Sequence, residues 1–170
     1  MWPSRSFIHY NCKDGKNDLQ GDIALLVLPR PVRFVNKHIN AACLPGPNEV
    51  FRAGTYCTIT GWGKLHEAKH SKQPRFLQEA YIPLVSRSTC WNAYQGGIYP
   101  TQVCAGYKKG GVDSCQGDSG GPLVCSRKDG SWVLLGITSF GRGCARAGMY
   151  GVYTDTRKYL QWIRSKAKLV

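Results

Sequence analysis

Acidic residues are scarce in this sequence, which has 10 Asp and Glu against 23 Lys and Arg and a formal net charge of +13. Such an excess is typical of nucleic-acid-binding proteins when the basic residues are clustered. Here they are spread along the chain, and no DNA- or RNA-binding motif accompanies them. We therefore interpret the charge as a solvated cationic surface with weak affinity for acidic polysaccharides or proteins, and predict no nucleic-acid partner.

Long apolar runs and an export signal are absent as well. No segment approaches the ~20 apolar residues of a transmembrane helix, so no membrane span is predicted. Residues 1–6 lack the apolar stretch of a secretory signal peptide. The 170 residues also fall short of the roughly 200–250 that are common for single-domain all-β enzymes. Together these absences predict a piece of a longer precursor.

Cysteine, by contrast, is abundant. The chain has eight cysteines, with no C-x-x-C pair and no Cys/His spacing typical of zinc sites, so no metal site is predicted. The count favours a disulfide framework formed in an oxidising compartment. The protein is therefore expected to be extracellular or secreted.

The run 113–122, Asp-Ser-Cys-Gln-Gly-Asp-Ser-Gly-Gly-Pro, is the most informative motif. Glycines on both sides of Ser119 predict a sharply bent backbone that leaves N–H groups unpaired beside a hydroxyl. An acyl-transfer enzyme needs this combination, because the hydroxyl attacks and the N–H groups stabilise the developing oxyanion. The same residues satisfy the G-x-S-x-G elbow of α/β-hydrolases, which requires a following helix and a later histidine. Strand-like runs follow Ser119 and no histidine occurs after His70, so that alternative is excluded.

Strand signals recur at short spacing with turn residues between them, a pattern typical of β-barrels and sandwiches. The predicted strands are 22–28, 56–62, 76–85, 121–126, 132–140 and 149–154. Prolines between 29 and 47 bracket a segment without regular pattern, which predicts an interdomain linker. The run 86–89, which starts at Ser86, is a candidate N-terminal cap of a short helix. Apolar residues at helical spacing in 156–168 predict a C-terminal amphipathic helix.

The run 113–122 closely resembles the active-site segment of trypsin-like (chymotrypsin-fold) serine proteases. Further segments resemble the same family in the same order: 21–26, 42–45, 60–63, 136–141, 151–154 and 159–163. The resemblance implies an all-β fold, a double six-stranded β-barrel with a C-terminal helix, whose first barrel is largely missing here. The implied domains are an N-terminal barrel remnant (1–36), a linker (37–53), the C-terminal barrel (54–155) and the C-terminal helix (156–170).

The resemblance also implies catalytic roles. Ser119 would be the nucleophile, with the backbone N–H groups of Gly117 and Ser119 forming the oxyanion hole. Asp22 would hold the catalytic imidazole in its productive tautomer. Asp118 resembles the carboxylate that pairs with the new N-terminal ammonium after zymogen cleavage, and would act as an activation switch.

Substrate choice would depend on Asp113, six positions before Ser119, which resembles the floor of the family's primary specificity pocket. A carboxylate in a narrow, largely apolar slot is unfavourable unless it is paired. The resemblance therefore implies protein or peptide substrates that are cleaved after Arg or Lys, with the Ser114 hydroxyl as a second partner for the cation. The other implied substrate-binding residues are Gln116, Ser139, Phe140, Gly141 and Gly151. Tyr150 stands where sodium-responsive family members carry tyrosine, which implies a Na⁺ site near the pocket; no other cofactor is expected.

Six of the cysteines match the family's bridges. The implied pairs are Cys57–Cys125, Cys90–Cys104 and Cys115–Cys144. Cys43 resembles the cysteine that tethers the catalytic domain to an upstream chain or propeptide. Cys12 has no family counterpart, and a Cys12–Cys43 bridge is left open.

The family's histidine, which lies upstream of the aspartate in an Ala-Ala-His-Cys context, has no counterpart here. His9 alone precedes Asp22, in a segment that resembles an ordinary strand. The sequence thus predicts a trypsin-like serine endopeptidase domain that is inactive as given, and missing strands are expected to leave Ile23, Leu25 and Val27 exposed. Two alternatives remain, a pseudoprotease that binds partners without cleaving them and a basic polysaccharide-binding module.

Overall fold

The computed structural model describes residues 2–12, 19–35 and 38–167. In chain order the elements are β1 (Arg5–Ile8), β2 (Ala24–Val27), β3 (Tyr56–Gly61), β4 (Gln78–Val85), α1 (Arg87–Ala93), β5 (Gln102–Ala105), β6 (Pro122–Ser126), β7 (Trp132–Phe140), β8 (Gly151–Asp155), a 3-10 turn (Thr156–Tyr159) and α2 (Leu160–Ala167). Strands account for most of these elements, which confirms the predicted all-β class.

Residues 56–155 form a closed antiparallel barrel of six strands in the order β3-β4-β5-β8-β7-β6, with β6 pairing back onto β3. Alternate strand residues face the interior, as the two-residue period of a strand requires. In β4, for example, Ile82 and Leu84 are buried whereas Tyr81 is exposed. Leu123 of β6 and Tyr153 of β8 complete the centre of this core without exposed surface. The architecture is that of one trypsin-like barrel.

Disulfides fasten this barrel and its loops. Cys57–Cys125 joins directly paired residues of β3 and β6, at the seam where the barrel closes. Cys90–Cys104 ties α1 to β5 across a sequence separation of 14, for which the loop-entropy model gives roughly 3 kcal/mol. Cys115–Cys144 joins the serine turn to the segment that follows β7. The structure therefore contains the three pairs that the resemblance implies.

α1 lies where the sequence predicts a helix, and α2 begins four residues into the predicted helix 156–168, whose residue 168 lies outside the described residues. α1 follows Ser86, whose hydroxyl accepts the N–H of Thr89 at 3.1 Å and so satisfies one of the unpaired donors of the first turn. α2 buries Leu160 and Ile163 on one face. None of the described helices combines the length and the apolar character that crossing a bilayer requires.

Before the barrel, β1 and β2 form a two-stranded antiparallel sheet that contacts α2. Ile23, just before β2, is 5% exposed because it packs against Tyr159 and Ile163. The expectation that Ile23, Leu25 and Val27 would be exposed is therefore wrong, because Ile23 is buried and Leu25 and Val27 are half-buried. The exposed apolar residues are on the opposite face, where Ile8 is 69% and Leu26 64% exposed. The sheet thus uses one face to pack on the barrel domain and leaves the other uncovered.

Candidate active site

Ser119 lies in a turn that Asp118 holds in place. The Oδ1 atom of Asp118 accepts the N–H of Gly63 at 2.7 Å, and Oδ2 accepts the N–H of Cys115 at 2.9 Å. The backbone oxygen of the same residue accepts the N–H of Gly121 at 2.8 Å. Charge-assisted bonds of this kind are stronger than neutral ones. The resemblance pairs Asp118 with an N-terminal ammonium. In this structure its carboxylate is held by two backbone N–H groups instead.

The two N–H groups that the resemblance assigns to an oxyanion hole belong to the same turn. The carbonyl of Gln116, next to Gly117, accepts the N–H of Lys64 at 2.9 Å. Among the described residues, no acceptor is bound to the N–H of Gly117 or of Ser119, and Ser119 is exposed. Gly117 has a φ of +99°, a backbone conformation that residues with a side chain rarely adopt, so the turn favours glycine there.

Asp22 is brought to the barrel by two hydrogen bonds across long sequence separations. Its Oδ2 accepts the hydroxyl of Ser139 at 2.6 Å, and its backbone oxygen accepts the hydroxyl of Thr154 at 2.7 Å. These partners belong to β7, which pairs with the strand β6 that follows the serine turn, and to β8 on the other side of β7. The structure therefore fixes the predicted aspartate to the same barrel that carries Ser119, and no described residue donates to its other carboxylate oxygen.

His9 does not take the place of a catalytic base. Its ring is 6% exposed and is enclosed by the rings of Tyr10, Tyr159 and Trp162 at centroid distances of 4.4, 5.0 and 5.1 Å. Its Nδ1 accepts the N–H of Asn11 at 3.3 Å, and burial lowers the pKa of the imidazole. Within the described part of the chain, no histidine nitrogen is hydrogen-bonded to the Asp22 carboxylate or to the Ser119 hydroxyl. The environment of His9 is that of a structural core residue.

Asp113 lies partly buried beside a cavity of about 180 Å³ that also reaches Asp118. One carboxylate oxygen accepts the N–H of Ser114 at 2.8 Å and the other the N–H of Ala145 at 3.2 Å. Burial raises the pKa of this carboxyl to about 6, although both N–H groups act in the opposite direction. No Lys or Arg in the described residues forms an ion pair with Asp113. Lys64 also lines the cavity, but its ammonium donates to the carbonyl of Lys69, so Asp113 is an anionic group without an ion pair among the described residues.

Gly151 and Tyr153 lie close to the Asp113 carboxylate, although they do not line this cavity. A Cβ at Gly151 would lie 2.7 Å from Oδ1 of Asp113 and 2.9 Å from the hydroxyl of Tyr153. That hydroxyl lies 3.2 Å from the Ser114 hydroxyl, and burial raises its pKa. Gly141 is exposed at the end of β7. Glycine is thus required at position 151 for the carboxylate to occupy the pocket.

Two aromatic residues lie beside the pocket. Phe140 packs edge-on against Tyr94 at a centroid distance of 5.9 Å. Tyr150 is 5% exposed, and its carbonyl oxygen accepts the Tyr94 hydroxyl at 2.6 Å. A sodium ion would have to share that oxygen with the phenol, because one of its lone pairs is already used. The Na⁺ site implied by the resemblance stays a prediction.

Two loop residues that the sequence did not single out also reach this region. Glu67 accepts the N–H of Cys144 at 2.9 Å, next to the pocket residue Ala145. The amide of Gln73 lies against Gly117 of the oxyanion turn. Both residues are on the irregular segment between β3 and β4, where no periodic pattern or motif marks a contact with a distant loop. Only the folded chain identifies them.

Comparisons with known proteins agree with this geometry. The family model for Trypsin matches residues 4–163. A curated relative, Transmembrane protease serine 9 from Rattus norvegicus, is 46% identical over 145 residues, which is 85% of this chain and 13% of the relative. The chain thus spans about an eighth of that relative's length. Because the family match extends over both the two-stranded sheet and the closed barrel, the chain belongs to the trypsin family of serine proteases.

Proposed function

We propose that this chain is the substrate-recognition and nucleophile portion of a serine endopeptidase that cleaves peptide bonds after Arg or Lys. The observation that carries the proposal is the partly buried Asp113 carboxylate, which has no cationic partner among the described residues. A buried charge that is left unpaired is strongly unfavourable, so such a pocket selects a cation. A substrate Arg or Lys side chain supplies it.

The residues around Ser119 account for an acyl-enzyme mechanism. The Ser119 oxygen attacks the carbonyl carbon of the substrate, and the N–H groups of Gly117 and Ser119 stabilise the oxyanion. The C–N bond then breaks, the amine leaves with a proton, and water hydrolyses the resulting ester. A histidine oriented by Asp22 would take the serine proton and give it to the amine.

The enclosure of His9 in the core supports the prediction that this chain has no such histidine. Without a base the serine hydroxyl is a weak nucleophile, and loss of the base from a serine protease triad lowers kcat by about a million-fold. We therefore infer that the chain as given recognises basic residues without turning substrate over. A non-catalytic protein that binds basic segments is the second candidate, and the same observation on His9 favours it.

The test measures binding and turnover separately. Benzamidine, an aromatic amidinium, should bind the chain in a manner that Asp113→Asn abolishes, while an Arg-amide substrate should be hydrolysed no faster by the chain than by its Ser119→Ala variant. Absence of benzamidine binding by the folded chain would refute the basic-residue pocket. Hydrolysis that disappears in Ser119→Ala would refute the inferred inactivity and identify a histidine of this chain as the base.

Localisation and partners belong to the same proposal. The disulfides that fasten the barrel support an extracellular location, because such bonds persist in oxidising compartments. Cys43 is exposed outside these bridges, although its backbone pairs with β7 through Trp132 and Leu134. That arrangement leaves its thiol accessible to an upstream chain or propeptide, whereas Cys12 and Cys43 are not joined to each other in the structure.

A further inference from the structure

Glu67 connects the irregular segment after β3 to a wall of the Asp113 pocket. Its Oε2 accepts the N–H of Cys144 and Nε of Arg146, each at 2.9 Å, and its Oε1 lies 3.0 Å from the same Nε. The bond to Cys144 is the first cause of the lowered pKa of Glu67, ahead of its bond to Arg146. The glutamate is thus an anionic acceptor for a backbone group of another loop.

The bond from Glu67 to Cys144 fixes the peptide N–H of Cys144, and the next peptide N–H, of Ala145, is the one that binds Asp113. The N–H of Cys144 points to Glu67, whereas the N–H of the following residue, Ala145, donates to Oδ2 of Asp113 at 3.2 Å. Ala145 has a φ of +56°, which a residue with a side chain rarely adopts and which surrounding contacts must maintain. Loss of the bond between Glu67 and Cys144 would therefore remove a constraint on the bond between Ala145 and Asp113.

We propose that Glu67 is a positioning residue for the specificity pocket, which holds segment 143–146 so that Ala145 can bind Asp113 and the substrate cation finds a preorganised carboxylate. This inference rests on the proposed function, since it concerns the same pocket. Glu67 touches no substrate and acts only through Cys144 and its neighbour.

The ion pair with Arg146 does not carry this role. The side chains of Arg146 and Glu67 are 59% and 37% exposed, and exposed pairs contribute little because water screens them. The bond to the Cys144 N–H, by contrast, has a fixed backbone donor and anchors a loop already held by the Cys115–Cys144 bridge. The carboxylate oxygen, rather than the charge pair, is therefore the group to remove.

The test is benzamidine binding to the full 170-residue chain, its disulfides intact. Glu67→Ala removes the acceptor and should weaken binding roughly three- to tenfold. Glu67→Gln keeps an oxygen acceptor without the charge and should recover most of the affinity. Glu49→Ala is the matched control, because Glu49 also accepts a backbone N–H, from Gly46 at 2.8 Å, and pairs with Arg127, away from the pocket. Its affinity should equal that of the unchanged chain.

A pH profile separates positioning from general stability. Since the Ala145 N–H lowers the pKa of Asp113, loosening it in Glu67→Ala should place the midpoint of benzamidine binding at higher pH than in Glu67→Gln, whereas Glu49→Ala should match the unchanged chain. Both Glu67 variants remove the same charge and leave Arg146 without its ion pair, so this change cancels between them. The other titratable groups around Asp113 stay the same: Asp118, Tyr94, Tyr153, Lys64 and Glu79.

The outcomes distinguish this inference from the proposed function. If Asp113→Asn does not weaken benzamidine binding, the pocket assignment itself is wrong. If binding depends on Asp113 while Glu67→Ala matches Glu49→Ala in affinity and pH midpoint, the positioning role is refuted and the pocket stands. If Glu67→Ala does not fold, Glu67→Gln provides the test. A loss of affinity of roughly threefold or more, with a pH midpoint of binding equal to that of the unchanged chain, would also refute the positioning role.

Discussion

Removing the charge of Asp113 should stabilise the empty domain while it abolishes recognition of basic residues. Burial raises the pKa of this carboxyl from 3.8 to about 6, so the folded state binds the proton more tightly than the unfolded state. The protonated carboxyl therefore stabilises the folded state relative to the ionised one. This contribution to the free energy of unfolding is full at low pH and is lost as pH rises towards 6. At pH 7 the ionised carboxylate lowers the free energy of unfolding by about 3 kcal/mol, because each pKa unit corresponds to about 1.4 kcal/mol.

Asp113→Asn recovers much of this free energy. The amide oxygen can accept only one of the two N–H groups that the carboxylate binds, from Ser114 and Ala145, and a lost hydrogen bond costs about 1 kcal/mol. We therefore expect a net stabilisation of about 1–2 kcal/mol at pH 7. At pH 5, where Asp113 is largely protonated, the difference between the two proteins should be smaller by about 1 kcal/mol.

The assay is urea unfolding of both proteins at pH 5 and 7. The lowered pKa of His9 makes the folded state bind protons less tightly, an effect of the opposite sign, but His9 is present in both proteins and its effect cancels in the comparison. Glu49 and Glu67, whose pKa values are lowered, lose their contributions only below about pH 4.5. An Asn variant that is less stable than the unchanged chain by the same amount at both pH values would refute the reasoning.

Three further outcomes are expected. Ile82→Ala should lower the free energy of unfolding by about 2–5 kcal/mol in urea titrations, because it empties a fully buried position of β4; a loss below 1 kcal/mol would contradict the core assignment. Leu26→Lys should reduce self-association, measured as concentration-dependent light scattering, and should leave the urea midpoint unchanged, because it interrupts the exposed apolar face of β2. Unaltered scattering would show that this face does not drive association. For Tyr150, benzamidine should bind more tightly in sodium than in choline chloride at equal ionic strength, and equal affinities would exclude the sodium site.

Local patterns are enough to predict most of the barrel. The predicted strand 132–140 coincides with β7, and the other predicted strands differ from β2, β3, β4, β6 and β8 by at most two residues at either end. Apolar residues alternate or cluster there because one face of each strand is buried. The sequence does not predict β5, whose four residues Gln102–Ala105 are nearly all buried and so show neither alternation nor length. Its existence depends on pairing with β4 and β8.

The residues of the candidate site also fall into two groups, those that a local motif indicates and those that only the folded chain brings together. The proposed nucleophile, the glycines around it and the carboxylate of the proposed specificity pocket lie within ten consecutive residues, so one motif indicates them all. The contact of Asp22 with Ser139 spans a separation of 117 residues, and that of Glu67 with Cys144 spans 77. Such contacts form only when the barrel closes and brings distant loops to one end.

The sequence by itself determined the fold class, the family and the serine turn, because these depend on periodicity and on residues adjacent in the chain. Only the tertiary structure decided that His9 is enclosed by Tyr10, Tyr159 and Trp162, that Asp118 is held by backbone N–H groups, and that the uncovered face of the two-stranded sheet is the one with Leu26. Each of these depends on which surface packs against which. Packing is a property of the whole chain in three dimensions, and no local pattern encodes it.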